Sequence, residues 1–305
     1  MMNNFIFENK TKVYFGKGGV KEYLGGLLAN FGETVMLAYG GGSIKRNGVY
    51  DEIMGILNAA GKRIVEFSGI MSNPTYAKVQ EGAKLARENH VDLILAVGGG
   101  SVSDCCKVIS GAFDTLSHAM ETYFGKPDEN NLSDDINEAA MRSIIRNSRI
   151  LLTDPENYDA RSELAWASAM AENGVLKIGK VTDFQAHQIE HQLGAYTNCN
   201  HGAGLAVIHP VLYRHIYKSG AARFARFAQN VWGIAPKGSD EETAVAGIDA
   251  LAAFIKEIGL PTSFAELGIP ADTDFRAVAD STNITSGRCK KLMHDEIYEI
   301  LQECL

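Results

Sequence analysis

Short apolar runs and helical periodicity alternate through the first third of the chain. Thr34–Ala38 (TVMLA), Arg63–Phe67 (RIVEF) and Asp92–Val97 (DLILAV) are apolar runs of strand length, and Tyr76–Asn89 repeats its apolar positions as an amphipathic helix does. Strands alternating with helices predict a parallel sheet with helices on both faces. After Gly111 the character changes. Leu132–Leu152, Ala160–Ala171, Gly202–Ile216, Glu241–Ile258 and Ala271–Ser281 all carry helical periodicity, and no run there reads as a convincing strand. Pro236–Ser239 and Gly259–Pro261 are turn signals between these helices. The pattern predicts an α/β domain over residues 1–110 and an all-α domain over residues 111–305.

Composition narrows the class of partner. With 305 residues, 46% hydrophobic and 22% charged, the chain has apolar side chains enough for a substantial core. A net charge of -8 opposes nucleic-acid binding, which needs clustered Lys and Arg. The five cysteines form no zinc-ribbon spacing and read as reduced thiols. The start, MMNNFIFENKTKVYF, has no charged region leading into an apolar one, and no apolar run approaches the length of a membrane span. A cytoplasmic protein acting on a small molecule is expected, with neither nucleic acid nor membrane as partner.

Two glycine loops follow predicted strands. Gly98-Gly99-Gly100-Ser101 succeeds Asp92–Val97 and precedes helix-compatible residues, so its backbone N–H groups could approach a pyrophosphate. The spacing is not G-x-G-x-x-G, and a tight strand-to-helix turn is the plainer reading of that loop alone. Tyr39-Gly40-Gly41-Gly42-Ser43 follows Thr34–Ala38 in the same way, and ligands of open α/β sheets sit outside the carboxyl ends of the strands. This second loop offers no acid to hold an NAD ribose, whereas Lys45 and Arg46 lie just beyond it. NADP(H) is therefore favoured over NAD(H).

The second chemistry is metal binding. Asp114 and His118 stand four apart, which puts them on one helix face, and His187 and His191 repeat the spacing, with His201 ten residues further on. One carboxylate and three imidazoles suit Fe²⁺ or Zn²⁺. Five candidates for four positions leave one histidine free, and spacing does not say which. A zinc hydrolase site at His187-Glu190-His191 is an alternative, although Glu190 precedes His191 where H-E-x-x-H needs it after His187. His90, His209, His215 and His294 read as structural, and Glu121 as a solvated or capping carboxylate.

These motifs, in order, resemble those of the iron-containing (group III) alcohol dehydrogenase family, in its NADPH-dependent butanol dehydrogenase branch. The resemblance runs through Phe15-Gly16-Lys17-Gly18, YGGGSIKRNGVYD (39–51), Asn73-Pro74, GGGSVSD (98–104), FDTLSHAMETYF (113–124), HQIEHQLGAYTNCNHGAGLA (187–206) and Asn230–Ile234. It implies a Rossmann-like N-terminal domain, an all-α metal-binding C-terminal domain (a dehydroquinate synthase-like fold), and a homodimer. It also implies that Asp114, His118, His187 and His201 hold the metal and that His191 lies by the nicotinamide and substrate. Gly98, Gly99, Gly100 and Ser101 would bind the pyrophosphate, and Gly41, Gly42 and Ser43 would face the ribose phosphate. Asp104 would sit near the nicotinamide, with Asn73 a further cofactor contact.

The resemblance departs at one place. Family members carry a segment between the Gly-Gly-Gly-Ser helix and the Asp-x-x-x-His helix, with further strands and a T-x-G-T-G-S-E type motif; here Ser110 runs straight into Gly111. A true internal deletion would leave a sheet edge and apolar helix faces exposed; a segment the protein carries outside this sequence would not. The resemblance implies hydride transfer between NADP(H) and a primary alcohol or aldehyde such as butanol or butanal. The alternatives are a non-catalytic metal- and nucleotide-binding remnant, or another reaction on the same scaffold, such as glycerol oxidation or a dehydroquinate-type synthesis.

Overall fold

The computed structural model describes residues 12–70, 76–98, 105–126, 129–285, 287 and 289–305. Contacts divide the chain into two units that part between Lys107 and Val108.

The first unit is built on three parallel strands, β1 (Thr34–Tyr39), β2 (Arg63–Phe67) and β3 (Leu93–Val97), in the order β2-β1-β3. Val35 pairs with Ile64 on one side and Leu93 on the other. All six residues of β1 are buried, as expected of a central strand covered on both faces. Its alternate residues sort into two layers. Val35, Leu37 and Tyr39 pack with Leu28 of α1 (Gly19–Leu28), Ile44 of α2 (Ser43–Arg46), and Ile53 and Leu57 of α3 (Val49–Ala59). Met36 and Ala38 pack on the other face with Phe67, Leu85 and Ala86, the last two from α4 (Tyr76–Glu88). Among the described residues β3 pairs with β1 alone, and its Ile94 is 59% exposed.

The second unit is helical. It holds most of α5 (Cys105–Tyr123), then α6 (Leu132–Thr153), α7 (Tyr158–Glu172), α8 (Gln185–Thr197), α9 (His201–Ile216), α10 (Ala221–Asn230), α11 (Asp240–Glu257), α12 (Phe275–Ser281) and α13 (His294–Glu303). α5 runs without a break through Ser110 and Gly111. Among the described residues of this unit, β pairing is confined to one antiparallel bridge, Lys126 with Val181. α12 starts later than the expected Ala271 because Thr273 N–H closes a turn on Pro270 O and the Asp274 side chain then caps Ala277 N–H at 2.9 Å. α8, α10 and α13 lie outside the predicted runs, although the four-residue spacing of His187 and His191 falls in α8.

Packing here is aromatic and close. Phe124 stacks on Phe224 with centroids 4.1 Å apart and meets Tyr213 and Phe227 edge-on. Gly247 lets α11 approach α10, since a Cβ there would stand 2.7 Å from that of Ala228. At the start of α6, Asn131 and Asp134 form a reciprocal capping box. Asp134 is fully buried, and its carboxylate accepts from Lys180 Nζ and lies 3.1 Å from Arg223 Nη1. Removing the carboxylate would take the buried anion away from two buried cations. Asp134→Ala is expected to cost about 3–5 kcal/mol in chemical denaturation; a loss under about 1 kcal/mol would show that water, not Asp134, satisfies Lys180 and Arg223.

Candidate metal centre

Three helices deliver the titratable groups. α5 carries Asp114, His118 and Glu121, whose offsets of four and seven residues put them on one face. α8 carries His187, Glu190 and His191. His201 opens α9, whose start is fixed by the Asn200 side chain accepting from Ala203 N–H at 3.0 Å.

Three donor atoms, from Asp114, His187 and His201, converge, and His118 adds a fourth beside Asp114 and His187. Asp114 Oδ1 lies 3.4 Å from His187 Nε2, 3.4 Å from His201 Nε2 and 3.7 Å from His118 Nε2, and the Nε2 atoms of His118 and His187 are 3.1 Å apart. Two donors on one ion at about 2.1 Å lie roughly 3.4 Å apart at the tetrahedral angle, so these separations suit a shared ion. Asp114 Oδ1 is also a buried atom with no hydrogen bond. A nitrogen-rich set with one carboxylate fits Fe²⁺ or Zn²⁺.

Behind the donors stand two buried carboxylates. Glu121 accepts from His187 Nδ1 and from Ala186 N–H, the latter at 2.6 Å. Glu190 accepts from His201 Nδ1 and, at 3.7 Å, from the Cys199 thiol. Each fixes the proton on Nδ1 and turns Nε2 towards Asp114. Gly204 permits the approach of α9, because a Cβ there would come within 2.9 Å of Glu190. Glu121 is thus no solvated carboxylate: it is 2% exposed.

The electrostatics follow from this arrangement. Burial alone would raise the pKa of Asp114, but the His187 and His201 rings, with Nε2 atoms 3.4 Å from Oδ1, outweigh it and hold the carboxyl well below its usual range. Burial opposes charge on His187 and His201, yet Asp114 and Glu121 hold the first up at about 9, and Asp114 and Glu190 hold the second at about 10. His118 goes the other way, to about 4, through burial and the charge on His187. His191 is exposed, stacks on His201 with centroids 5.2 Å apart, and is lowered by burial and then by His201. His209 is fully buried against Ser117 Oγ at 2.5 Å, in keeping with a structural role. Glu172, at the end of α7, brings Oε1 to 2.9 Å from His118 Nε2. Nothing in the spacing of the motifs pointed to it.

Of the nucleotide candidates, Gly41, Gly42 and Ser43 follow β1, and Gly42 takes φ 95°, a left-handed conformation open to glycine. Gly98 follows β3; Asn73, Gly99, Gly100, Ser101 and Asp104 lie outside the described residues. Lys45 Nζ lies 4.4 Å from the Tyr50 ring centroid and 3.6 Å from Glu66. Glu66 in turn accepts from Tyr39 Oη at 2.6 Å and Tyr50 Oη at 2.7 Å, which lower its pKa. The loop has no acid of its own, but β2 brings one beside it.

Comparison with known proteins agrees with the geometry. Residues 10–140 match the family described as iron-containing alcohol dehydrogenase, and residues 108–305 match the C-terminal model of the Fe-containing alcohol dehydrogenase family. The chain belongs to the iron-containing alcohol dehydrogenase family and is an alcohol dehydrogenase-type oxidoreductase, of the Rossmann-like and helical fold of that family. It is 30% identical to a probable NADH-dependent butanol dehydrogenase 1 of Bacillus subtilis, over all of both chains. It is 27% identical to the NADPH-dependent aldehyde reductase YqhD of Escherichia coli, over 88% of this chain and 90% of that one. The crystal structure of NADH-dependent butanol dehydrogenase A from Thermotoga maritima superposes with a TM-score of 0.92 at 28% identity, covering 99% of each chain. The Bacillus alignment runs over 389 positions against 305 residues here, so at least 84 positions have no counterpart in this chain.

The protons on His187 and His201 must leave before an ion can take their Nε2 atoms. Calorimetric Zn²⁺ titration at pH 7.5, repeated in buffers of different ionisation enthalpy, is expected to show about two protons released per ion. Because both values are raised, the stability these protons give the metal-free protein is whole below the ordinary histidine value of 6.5 and is lost as pH climbs through 9 to 10. Zn²⁺ uptake without proton release would remove the His187 and His201 assignment.

Proposed function

We propose that the chain transfers hydride between NADP(H) and a primary alcohol or aldehyde, with butanol and butanal as reference substrates. In this reading Asp114, His118, His187 and His201 hold a divalent ion, Fe²⁺ or Zn²⁺. The observation that carries it is the convergence of Asp114, His187 and His201, with His118 Nε2 lying 3.7 Å from Asp114 Oδ1 and 3.1 Å from His187 Nε2. When bound, such an ion supplies Lewis-acid polarisation of the substrate oxygen.

The other roles belong to the chain itself. Glu121 and Glu190 hold the Nδ1 protons of His187 and His201 and so orient both rings. His191, its pKa lowered, presents a neutral ring at neutral pH. A bound nicotinamide would accept hydride from the alcohol carbon in oxidation and donate it in reduction, and His191 would take the substrate hydroxyl proton in the first direction and return it in the second. Gly41, Gly42, Ser43, Asn73, Gly98, Gly99, Gly100, Ser101 and Asp104 bind the cofactor in this reading, residues 1–110 being the nucleotide domain and 111–305 the metal domain. A cytoplasmic homodimer completes it; no described helix is long and apolar enough to cross a membrane.

NADPH oxidation with butanal by the Fe²⁺- or Zn²⁺-loaded protein tests the reaction, and chelation is expected to abolish it. His191→Ala is expected to lower kcat by about 10²–10⁴-fold and flatten its pH profile. Full turnover with an unchanged profile would take the proton transfer away from His191. Metal binding without turnover would favour the remnant reading, which the 84 or more missing positions support.

The choice of NADP(H) rests on Lys45, whose ammonium is half-exposed beside the loop, with Glu66 opposing it. Lys45→Ala is expected to lower kcat/KM for NADPH about tenfold relative to NADH, and Glu66→Gln to move the ratio towards NADPH. A ratio that Lys45→Ala leaves unchanged would move the assignment to NAD(H), the cofactor named for the Bacillus and Thermotoga relatives.

A further inference from the structure

His201 has two ring nitrogens, and each faces a carboxylate. Nε2 lies 3.4 Å from Asp114 Oδ1, and Nδ1 contacts Glu190 Oε2. Beside Glu190 on α8 stands His191, which stacks on His201 with centroids 5.2 Å apart and planes 25° from parallel. One ligand atom each from Glu190, His191 and His201 lie within 4.8 Å of one another, the same closeness that Asp114, His187 and His201 show. The histidine left out of the four-donor centre therefore belongs to a second set of donors, and His201 belongs to both.

A neutral imidazole carries one proton and offers one lone pair. With the proton on Nδ1, where Glu190 accepts it, the Nε2 lone pair serves an ion beside Asp114. With the proton on Nε2, facing Asp114, the Nδ1 lone pair serves an ion beside Glu190 and His191. His201 stays neutral in both cases, and the exchange moves one proton from one nitrogen to the other. From this geometry we infer that Glu190, His191 and His201 form a second position for a divalent ion, exclusive of the first, through which the ion enters the buried centre.

Exposure sets the order of occupation. His191 is exposed and His201 is 30% exposed, whereas His187 is 4% exposed, so an ion arriving from solvent meets the second set first. One carboxylate and two imidazoles with a water in the fourth place is an acceptable Zn²⁺ set. Three protein donors against four make it the weaker position, and the ion passes on by exchanging the nitrogen of His201 that it uses. The inference rests on the proposed metal centre for the ion's destination, but the second set is testable with the first one broken.

Calorimetric titration of the whole chain with Zn²⁺ and a competing chelator reads both positions. The unaltered chain is expected to bind one ion. Asp114→Asn and, separately, His187→Gln damage the first set and spare the second, and each is expected to bind one Zn²⁺ about a hundredfold more weakly. Adding His191→Ala to either is expected to weaken the remaining binding by a further tenfold or more. In the otherwise unaltered chain, His191→Ala is expected to slow Zn²⁺ uptake about tenfold in rapid mixing while changing the affinity less than about threefold. Residual binding that His191→Ala leaves unchanged, or none in either folded single variant, would overturn the second position and leave the four-donor centre standing. Two ions on the unaltered chain would overturn the exclusivity, and an unchanged uptake rate the entry role. Full affinity in both Asp114→Asn and His187→Gln would instead overturn the four-donor centre, and no Zn²⁺ on the unaltered chain would overturn both.

Discussion

Asp114 turns one carboxylate oxygen, Oδ1, away from water and leaves it without a hydrogen bond, and the surrounding helices are organised around what can compensate it. Three imidazoles face that oxygen, and two of them are held protonated by Asp114 together with Glu121 and Glu190. Burying so many titratable groups is expensive when apolar residues of like volume would pack as well or better. The arrangement makes sense if the protons are placeholders. They balance the carboxylates while no ion is present, and an ion carrying two positive charges can replace them without disturbing α5, α8 or α9.

The supports show how closely the fold serves this end. Gly204 is needed where α9 passes Glu190, and the α8 backbone gives Glu121 the N–H of Ala186, so the carboxylate is anchored by main chain as well as by His187. Ser117, on the helix that carries Asp114, engages Nε2 of His209 from α9, and burial keeps that imidazole neutral. Local capping at Asn200, close approach at Gly204 and side-chain charge thus set the position of His201 together.

Much of this was legible in the sequence, for identifiable reasons. Short apolar runs marked β1, β2 and β3, helical periodicity marked α4, α6, α7, α9, α11 and α12, and the four-residue spacings placed Asp114 with His118 and His187 with His191 on single faces. Glu121 carried a readable signal in its seven-residue offset from Asp114, but polarity alone suggested solvent; only the packing of α8 against that face buries it. α10 was readable too, since Phe224 and Phe227 fall on one face three apart. Other relations depend on tertiary contact alone. Glu66 reaches Lys45 because β2 pairs with β1 in parallel, and Glu172 reaches His118 because α7 ends beside α5; no spacing along the chain encodes either.

The break in the resemblance after Ser110 affects the two halves unequally. Every donor and support described for the metal centre, from Asp114 to His209, lies within residues 108–305, the span that matches the family's C-terminal model. None is drawn from before Gly111. In the other unit the described sheet has three strands, and β3, paired on one side, leaves Ile94 mostly in solvent where a parallel strand is ordinarily covered. The alignment with the Bacillus relative leaves at least 84 of its 389 positions without a counterpart in this chain. In the proposed function, metal binding and hydride transfer therefore draw on different parts of the chain: the first on helices within residues 108–305, and the second also on a nucleotide platform of which these three strands are the part on view.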